Sequence, residues 1–300
     1  MIDVFNISSQ KQQTFTFYCA GAGVWQTWNK PRNAKMIQIF CLGGGGGGGS
    51  SIASVTTSSG GGGGASGGIV RGLIPAFLLP DTIYILVGRG GVGGTTGNNG
   101  GLGAVSYIGT QPSILDQTLI CKSSTTLAGG GLSTSVGGTA PTISVVTLSA
   151  FGNLGLFTAI AGVDGSLGGG ASSFDNSAYP GEGQSALGTN LVTGGCGGGG
   201  STSPAFGTGG TITSSSVILT TQVNGGILLG QNGDYGYGTL QPFCGTGGAG
   251  GAGGTTGFGG AGGDGFYGCG GGGGGGAVTG GIEGRGGNGG DGLIIISVIV

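Results

Sequence analysis

Apolar positions along the chain gather into short runs separated by long stretches almost without side chains. The runs fall at residues 14–19, 36–42, 82–87, 104–108, 142–149, 217–223 and 293–300. Each is rich in β-branched or aromatic residues and bounded by Gly, Pro or Asn, which predicts strands. Runs 36–42 and 293–300 are nearly continuous in apolar residues, a pattern that implies burial on both faces. They are expected to pair with each other and so close one unit from both ends of the chain. No stretch carries apolar residues at helical spacing and Gly recurs every few residues, so the expected fold is all-β with essentially no α-helix.

The stretches between the runs show two patterns. Residues 43–49, 60–64 and 270–276 are pure Gly. From 247 to 265 the other residues fall at Ala249, Ala252, Thr255, Phe258, Ala261 and Asp264, a period of three broken only by Thr256. The same spacing returns at Arg285, Asn288 and Asp291 and at Arg89, Val92, Thr95 and Asn98, and segment 90–97 is closely repeated at 250–257. A period of three matches the extended left-handed helix with about 3.1 Å rise per residue and no internal hydrogen bonds. Its amides must pair with neighbouring segments. Two ridges without side chains let backbones approach to hydrogen-bonding distance, and the third carries the remaining residue outward. The expectation is a β-sandwich-like core joined to polyglycine II-type helices or packed glycine loops. One domain spans 1–300, with framework strands from 1–109 and 245–300 and an inserted or peripheral region at 110–245.

Composition separates this reading from disorder. Of 300 residues 86 are Gly, yet 36% are apolar and only 6% charged, the opposite of a disordered chain. Ordering a Gly costs about 0.5–1 kcal/mol more than ordering an Ala, so the fold must require Gly sterically, through positive φ or through close backbone approach. Collagen is excluded by 8 Pro and by the absence of an unbroken register.

Charge and motifs narrow the function. His is absent, which removes Ser-His-Asp and Cys-His catalysis and every His-bearing metal site. Eight basic against 10 acidic residues leave no footprint for nucleic acid or an anionic membrane. No apolar run approaches the ~20 residues of a membrane helix, so no membrane insertion is expected, and residues 1–10 lack the features of a secretory signal. Cys19, Cys41, Cys121, Cys196, Cys244 and Cys269 are scattered without a CxxC pair and read as free thiols. Gly88-x-Gly90-x-x-Gly93 formally matches a dinucleotide fingerprint, but Thr95-Thr96-Gly97-Asn98 immediately after it makes a poor helix start. Asp234, Asp264 and Asp291 read as turn formers bonding their own backbone rather than calcium ligands. The chain is therefore expected to be no enzyme, with no catalytic residue, cofactor site or metal site. Tyr235 and Tyr237, which flank a Gly, and Phe266 and Tyr267, which close the main repeat, are candidate receptor contacts. The alternative is that these aromatic residues cap the ends of a glycine bundle and shield it from water. Trp25 and Trp28 are expected to pack the N-terminal core or an assembly contact.

With Pro31 ahead of apolar strand 36–42 and polyglycine 43–49, then Val87-Gly88-Arg89-Gly90-Gly91, then 289–296, the order of motifs resembles the glycine-rich domains of bacteriophage tail-fibre, baseplate and other virion proteins. Pro31 leads into the apolar strand 36–42 and polyglycine 43–49. A later strand ends in Val87-Gly88-Arg89-Gly90-Gly91, and the family's closing pattern is matched by Gly289-Gly290-Asp291-Gly292-Leu293-Ile294-Ile295-Ile296. The likeness covers 14–109 and 245–300; the family's Pro-x-Gly turn is replaced by Pro31-Arg32-Asn33. The three-residue tracts are also similar to the glycine bundle at the tip of T-even-type phage fibre adhesins, where loops touch the host. The resemblance implies a virion structural protein, part of a tail fibre or surface appendage, assembled in the host cytoplasm. Its partners would be other virion proteins, a host cell-surface receptor and further copies of itself, as a trimer. Two other readings remain open from sequence: a purely architectural capsid decoration or connector, and an ice-binding protein.

Overall fold

The computed structural model describes residues 12–52, 57–143, 155–169, 179–186, 191–202, 205–214, 222–239, 244–255, 257–278 and 280–300. Met36–Leu42 pairs antiparallel with Leu293–Ile299, in register from Leu42 opposite Leu293 to Met36 opposite Ile299. This is the pairing expected from the two apolar runs. Gln13–Phe17 lies beyond Leu293–Ile299, and Ile69–Pro75 and Leu156–Ile160 extend the other side to a five-stranded antiparallel sheet. Gln26–Asn29, Thr82–Leu86, Tyr107–Gly109 and Leu119–Lys122 form a second antiparallel sheet in that order.

Alternation sets which side chains meet between the sheets. Ile37, Ile39, Ile74, Ile294 and Ile296 from the first pack with Trp28, Ile83, Ile85, Ile108 and Ile120 from the second, all buried. Phe15 sets its edge against Trp28 at 5.7 Å. Each such burial contributes about 1.5–3 kcal/mol, so this sandwich is the conventional hydrophobic core. The described residues contain no α-helix, only one-turn 3-10 segments at Ala76–Leu78 and Asp116–Thr118. Of the expected strands, 104–108 begins only at Tyr107, because residues 103–106 still belong to a glycine tract. Most of 142–149 and 217–223 lies outside the described residues.

The sandwich strands run on into glycine tracts. Met36–Leu42 continues as 43–51 and Thr82–Leu86 as 88–95, while tracts 60–68, 98–106 and 284–292 lead into Ile69–Pro75, Tyr107–Gly109 and Leu293–Ile299. Tract 43–51 shows how they assemble. Gly44, Gly47 and Ser50 donate to the carbonyls of Ala104, Gly101 and Asn98; Gly45, Gly48 and Ser51 donate to those of Gly290, Gly287 and Gly284; Gly46 and Gly49 donate to those of Ala65 and Gly62. These bonds measure 2.8–3.3 Å. Its own carbonyls receive Gly91 and Gly94 from one further tract, Gly271 and Gly274 from another, and Gly131 from a third. The backbone turns by a third of a revolution per residue, so successive amides face three different neighbours and the tract is surrounded by six. Tracts 60–68, 194–200, 247–254 and 270–276 are enclosed in the same way. The result is a polyglycine II lattice growing from one end of the sandwich, about 25 Å long at about 3.1 Å per residue.

Residues 247–265 depart from expectation in one respect. They form two antiparallel tracts, with Gly260 donating to Ala252 and Gly263 to Ala249, joined by a turn at Gly257, where φ is 104°. The first tract is interior, so Ala249 and Ala252 point inward and are fully buried rather than displayed, which their single methyl permits. Among the described residues positive φ occurs at Gly only at 21, 23, 97, 230, 257, 268 and 280, all outside the tracts' straight runs. Close approach is what excludes side chains elsewhere: a Cβ at Gly48, Gly61 or Gly273 would overlap the carbonyl oxygen of Gly272, Gly49 or Gly61 respectively.

Candidate functional site

The lattice has two unlike ends. At the sandwich end it is sealed by side chains, and at the far end the tracts reverse in short turns. Three of those turns form a continuous row. Gly230 donates to the carbonyl of Gly253 at 3.0 Å, Gly259 donates to that of Ile282 at 2.9 Å, and Phe258 bridges Ile282. The row presents Ile227 (64% exposed), Leu228 (65%), Phe258 (67%) and Ile282 (57%), with Ile52 on the neighbouring turn. The first turn is held from within, since the Gln231 Oε1 accepts the amides of both Ile227 and Leu228 at 3.0 Å. Gly97 on the turn after tract 88–95 likewise donates to Ser50 Oγ at 2.8 Å. Among the described residues Glu283 and the exposed Arg285 follow Ile282 along the chain.

Side chains expected from sequence to make contacts lie elsewhere. Tyr235 is 69% exposed, but on the flank of the bundle. Tyr237 packs against Cys196, Ile212, Val223 and Ala249, and its amide donates to Thr246 Oγ1 at 2.9 Å. Phe266 and Tyr267 meet edge to face at 4.8 Å and cover Phe40, Leu42, Ile69 and Ile295 where lattice and sandwich join. Tyr267 also contacts Tyr18 at 5.8 Å. The four therefore occupy the half of the bundle nearer the sandwich, and Phe266 and Tyr267 are placed to shield it from water. The distal row has a trace in sequence: Ile227-Leu228-Leu229 is an apolar triplet enclosed by Gly, and Phe258 is the one bulky residue in its repeat. Trp28 packs the core, in line with expectation.

Other groups have identifiable structural employment. Cys19, Cys41, Cys121 and Cys196 are free thiols. Burial pushes the Cys196 thiol up to about 12, partly opposed by a hydrogen bond from the Gln184 backbone. Burial and the adjacent Cys121 raise Cys41, and burial with Asp116 raises Tyr107. Thiols so shifted are poor nucleophiles. The expectation that Asp234, Asp264 and Asp291 bond their own backbone needs correction. Asp291 Oδ1 accepts from Gly90 N at 2.7 Å, Asp264 Oδ1 from Asn288 N at 2.6 Å and Asp234 Oδ2 from Asn224 N at 3.3 Å, each on a neighbouring tract. Among the described residues no three His, Cys, Asp or Glu side chains are grouped to hold a metal. The glycines of Gly88-x-Gly90-x-x-Gly93 lead into a lattice tract, and their amides donate to Ser106 Oγ, Asp291 Oδ1 and Asn288 Oδ1, so they are engaged rather than left for a phosphate.

Comparison with the curated proteins finds no match. The family model for a glycine-rich domain matches residues 20–298, a span that takes in the whole lattice and both sheets apart from the edge strand Gln13–Phe17 and the last residue of Leu293–Ile299. The chain belongs to this glycine-rich domain family.

Proposed function

We propose that this protein is a non-enzymatic phage virion component, part of a tail fibre or surface appendage, that contributes to host attachment through turns held on a glycine lattice. The observation that carries the reading is the distal row of Ile227, Leu228, Phe258 and Ile282, exposed apolar side chains on turns whose backbones are bonded into the lattice. Exposed clusters of this kind mark interaction surfaces. Turns fixed in advance lose little entropy on binding, which favours a lattice over a flexible loop as their support. The sequence resemblance to phage virion domains supplies the setting.

The opposite end suits assembly. Phe77, Ile114 and Leu115 are exposed there, and Lys30, Arg32, Lys35 and Lys122 lie in the same sandwich. Other virion proteins and further copies of the chain would join at this end, leaving the apolar distal row free for a receptor. Virions carrying Leu228→Ser with Phe258→Ser should adsorb to host cells about tenfold more slowly, a loss of about 1.4 kcal/mol, with particle assembly unchanged. Adsorption equal to wild type would remove the tip from this role.

A further inference from the structure

The lattice must stop somewhere, and its edge shows how. Around tract 88–95, Gly91 and Gly94 donate inward to Gly45 and Gly48, while Gly289 and Gly286 donate to the carbonyls of Gly91 and Gly94. The next amides round, Gly90 and Gly93, face a position where another extended chain would continue the lattice. Asp291 Oδ1 accepts the first at 2.7 Å and Asn288 Oδ1 the second at 3.0 Å. On the other side of tract 284–292, the Asn288 amide faces a second such position and is taken by Asp264 Oδ1 at 2.6 Å. Together these positions form a groove of about 420 Å³ between tracts 88–95 and 258–265, floored by 284–292. Other rim amides are treated alike: Asn232 Oδ1 accepts from Ala261 and Asn99 Oδ1 from Ser133.

We propose that this groove is a vacant lattice position closed by the chain's own side chains. Asp264, Asn288 and Asp291 supply the oxygens that the carbonyls of a further tract would otherwise supply, and so set the width of the bundle. The occupant they exclude is an extended glycine-rich chain, because the capped amides Gly90 and Gly93 stand three residues apart, the spacing at which every interior tract receives its neighbours. Capping of this kind does for a glycine lattice what charged or bulged edges do for a sheet.

The test uses the full chain with D264A, N288A and D291A combined, and a fluorescein-labelled peptide of sequence GRGGNGGDG, copied from residues 284–292. The uncapped protein should bind this peptide at least about tenfold more tightly than wild type, or associate with itself in a concentration-dependent way in sedimentation velocity. A folded triple variant that does neither overturns the proposal. If the triple variant does not fold, amide exchange in the single variants decides. Asp291→Ala should expose Gly90 alone and Asn288→Ala Gly93 alone, each exchanging about tenfold faster, and unchanged exchange at both amides overturns it.

Discussion

Replacing Gly48 by Ala places one methyl at the centre of the lattice. That Cβ would overlap the carbonyl oxygen of Gly272 and lie 2.9 Å from that of Gly271. Ordinary contact needs about 3.5 Å, so tract 43–51 or 270–276 must shift by about 1.5 Å. Bonds at risk are Gly48 to Gly287, Gly94 to Gly48, Gly271 to Gly46 and Gly274 to Gly49, all at 2.8–2.9 Å. At about 1 kcal/mol each, losing two to four costs about 2–4 kcal/mol, and overpacking adds about 1–3. Against this stands about 0.5–1 kcal/mol from the stiffer unfolded chain. The net loss is about 2–6 kcal/mol, which at about 2 °C per kcal/mol for a chain of this length lowers Tm by about 4–12 °C. Leu102→Ala, at an exposed outward position, should cost less than about 0.5 kcal/mol. A Gly48→Ala protein melting within about 2 °C of wild type in calorimetry would refute the view that close backbone contact is what demands Gly here.

Adsorption through the distal row should change little with salt, because the exposed side chains Ile227, Leu228, Phe258 and Ile282 are all uncharged; a steep fall between low and high ionic strength would place the contact on a charged face instead. Tyr235→Ala should leave Tm unchanged, whereas Tyr237→Ala should lower stability by about 1–3 kcal/mol through lost packing against Ile212 and Val223, as read by chemical denaturation. The Cys196 thiol keeps its proton to about 12 when folded but loses it near its ordinary 9.0 when unfolded. Its contribution is therefore fully present below pH 9 and falls by about 1.4 kcal/mol per pH unit above it. Between pH 9 and 11 Cys196→Ala should flatten the decline in Tm, and parallel slopes for the two proteins would contradict this.

Legibility in the sequence tracks the strength of the local pattern. Met36–Leu42 and Leu293–Ile299 can be read as a pair because continuous β-branched runs have few other fates. Ile69–Pro75 is hard to read, since Arg71-Gly72 interrupts its apolar run; in the fold the ring of Phe157 covers the bare backbone at Gly72. Gln26–Asn29 is too short and polar to stand out, and becomes a strand through Trp28, which the core buries. The three-residue period discloses the lattice but not which tracts are interior. Only the neighbours decide that, so the period alone points Ala249 and Phe258 outward alike, while in the fold Phe258 is exposed and Ala249 is buried. The distal row is hidden for a similar reason: which turns share an end depends on the direction of every tract, and the most conspicuous aromatic residues serve mostly nearer the sandwich.

Amide hydrogen exchange on protein labelled at glycine nitrogen tests the lattice most directly. The amides of Gly44 to Gly49, Gly248 to Gly254 and Gly270 to Gly276 should exchange at least about a thousandfold more slowly than in an unstructured chain, in step with global unfolding. Exchange of these glycines at the free-peptide rate while the sandwich strands stay protected would contradict the account, because the tracts would then be loops in water rather than backbones bonded to one another.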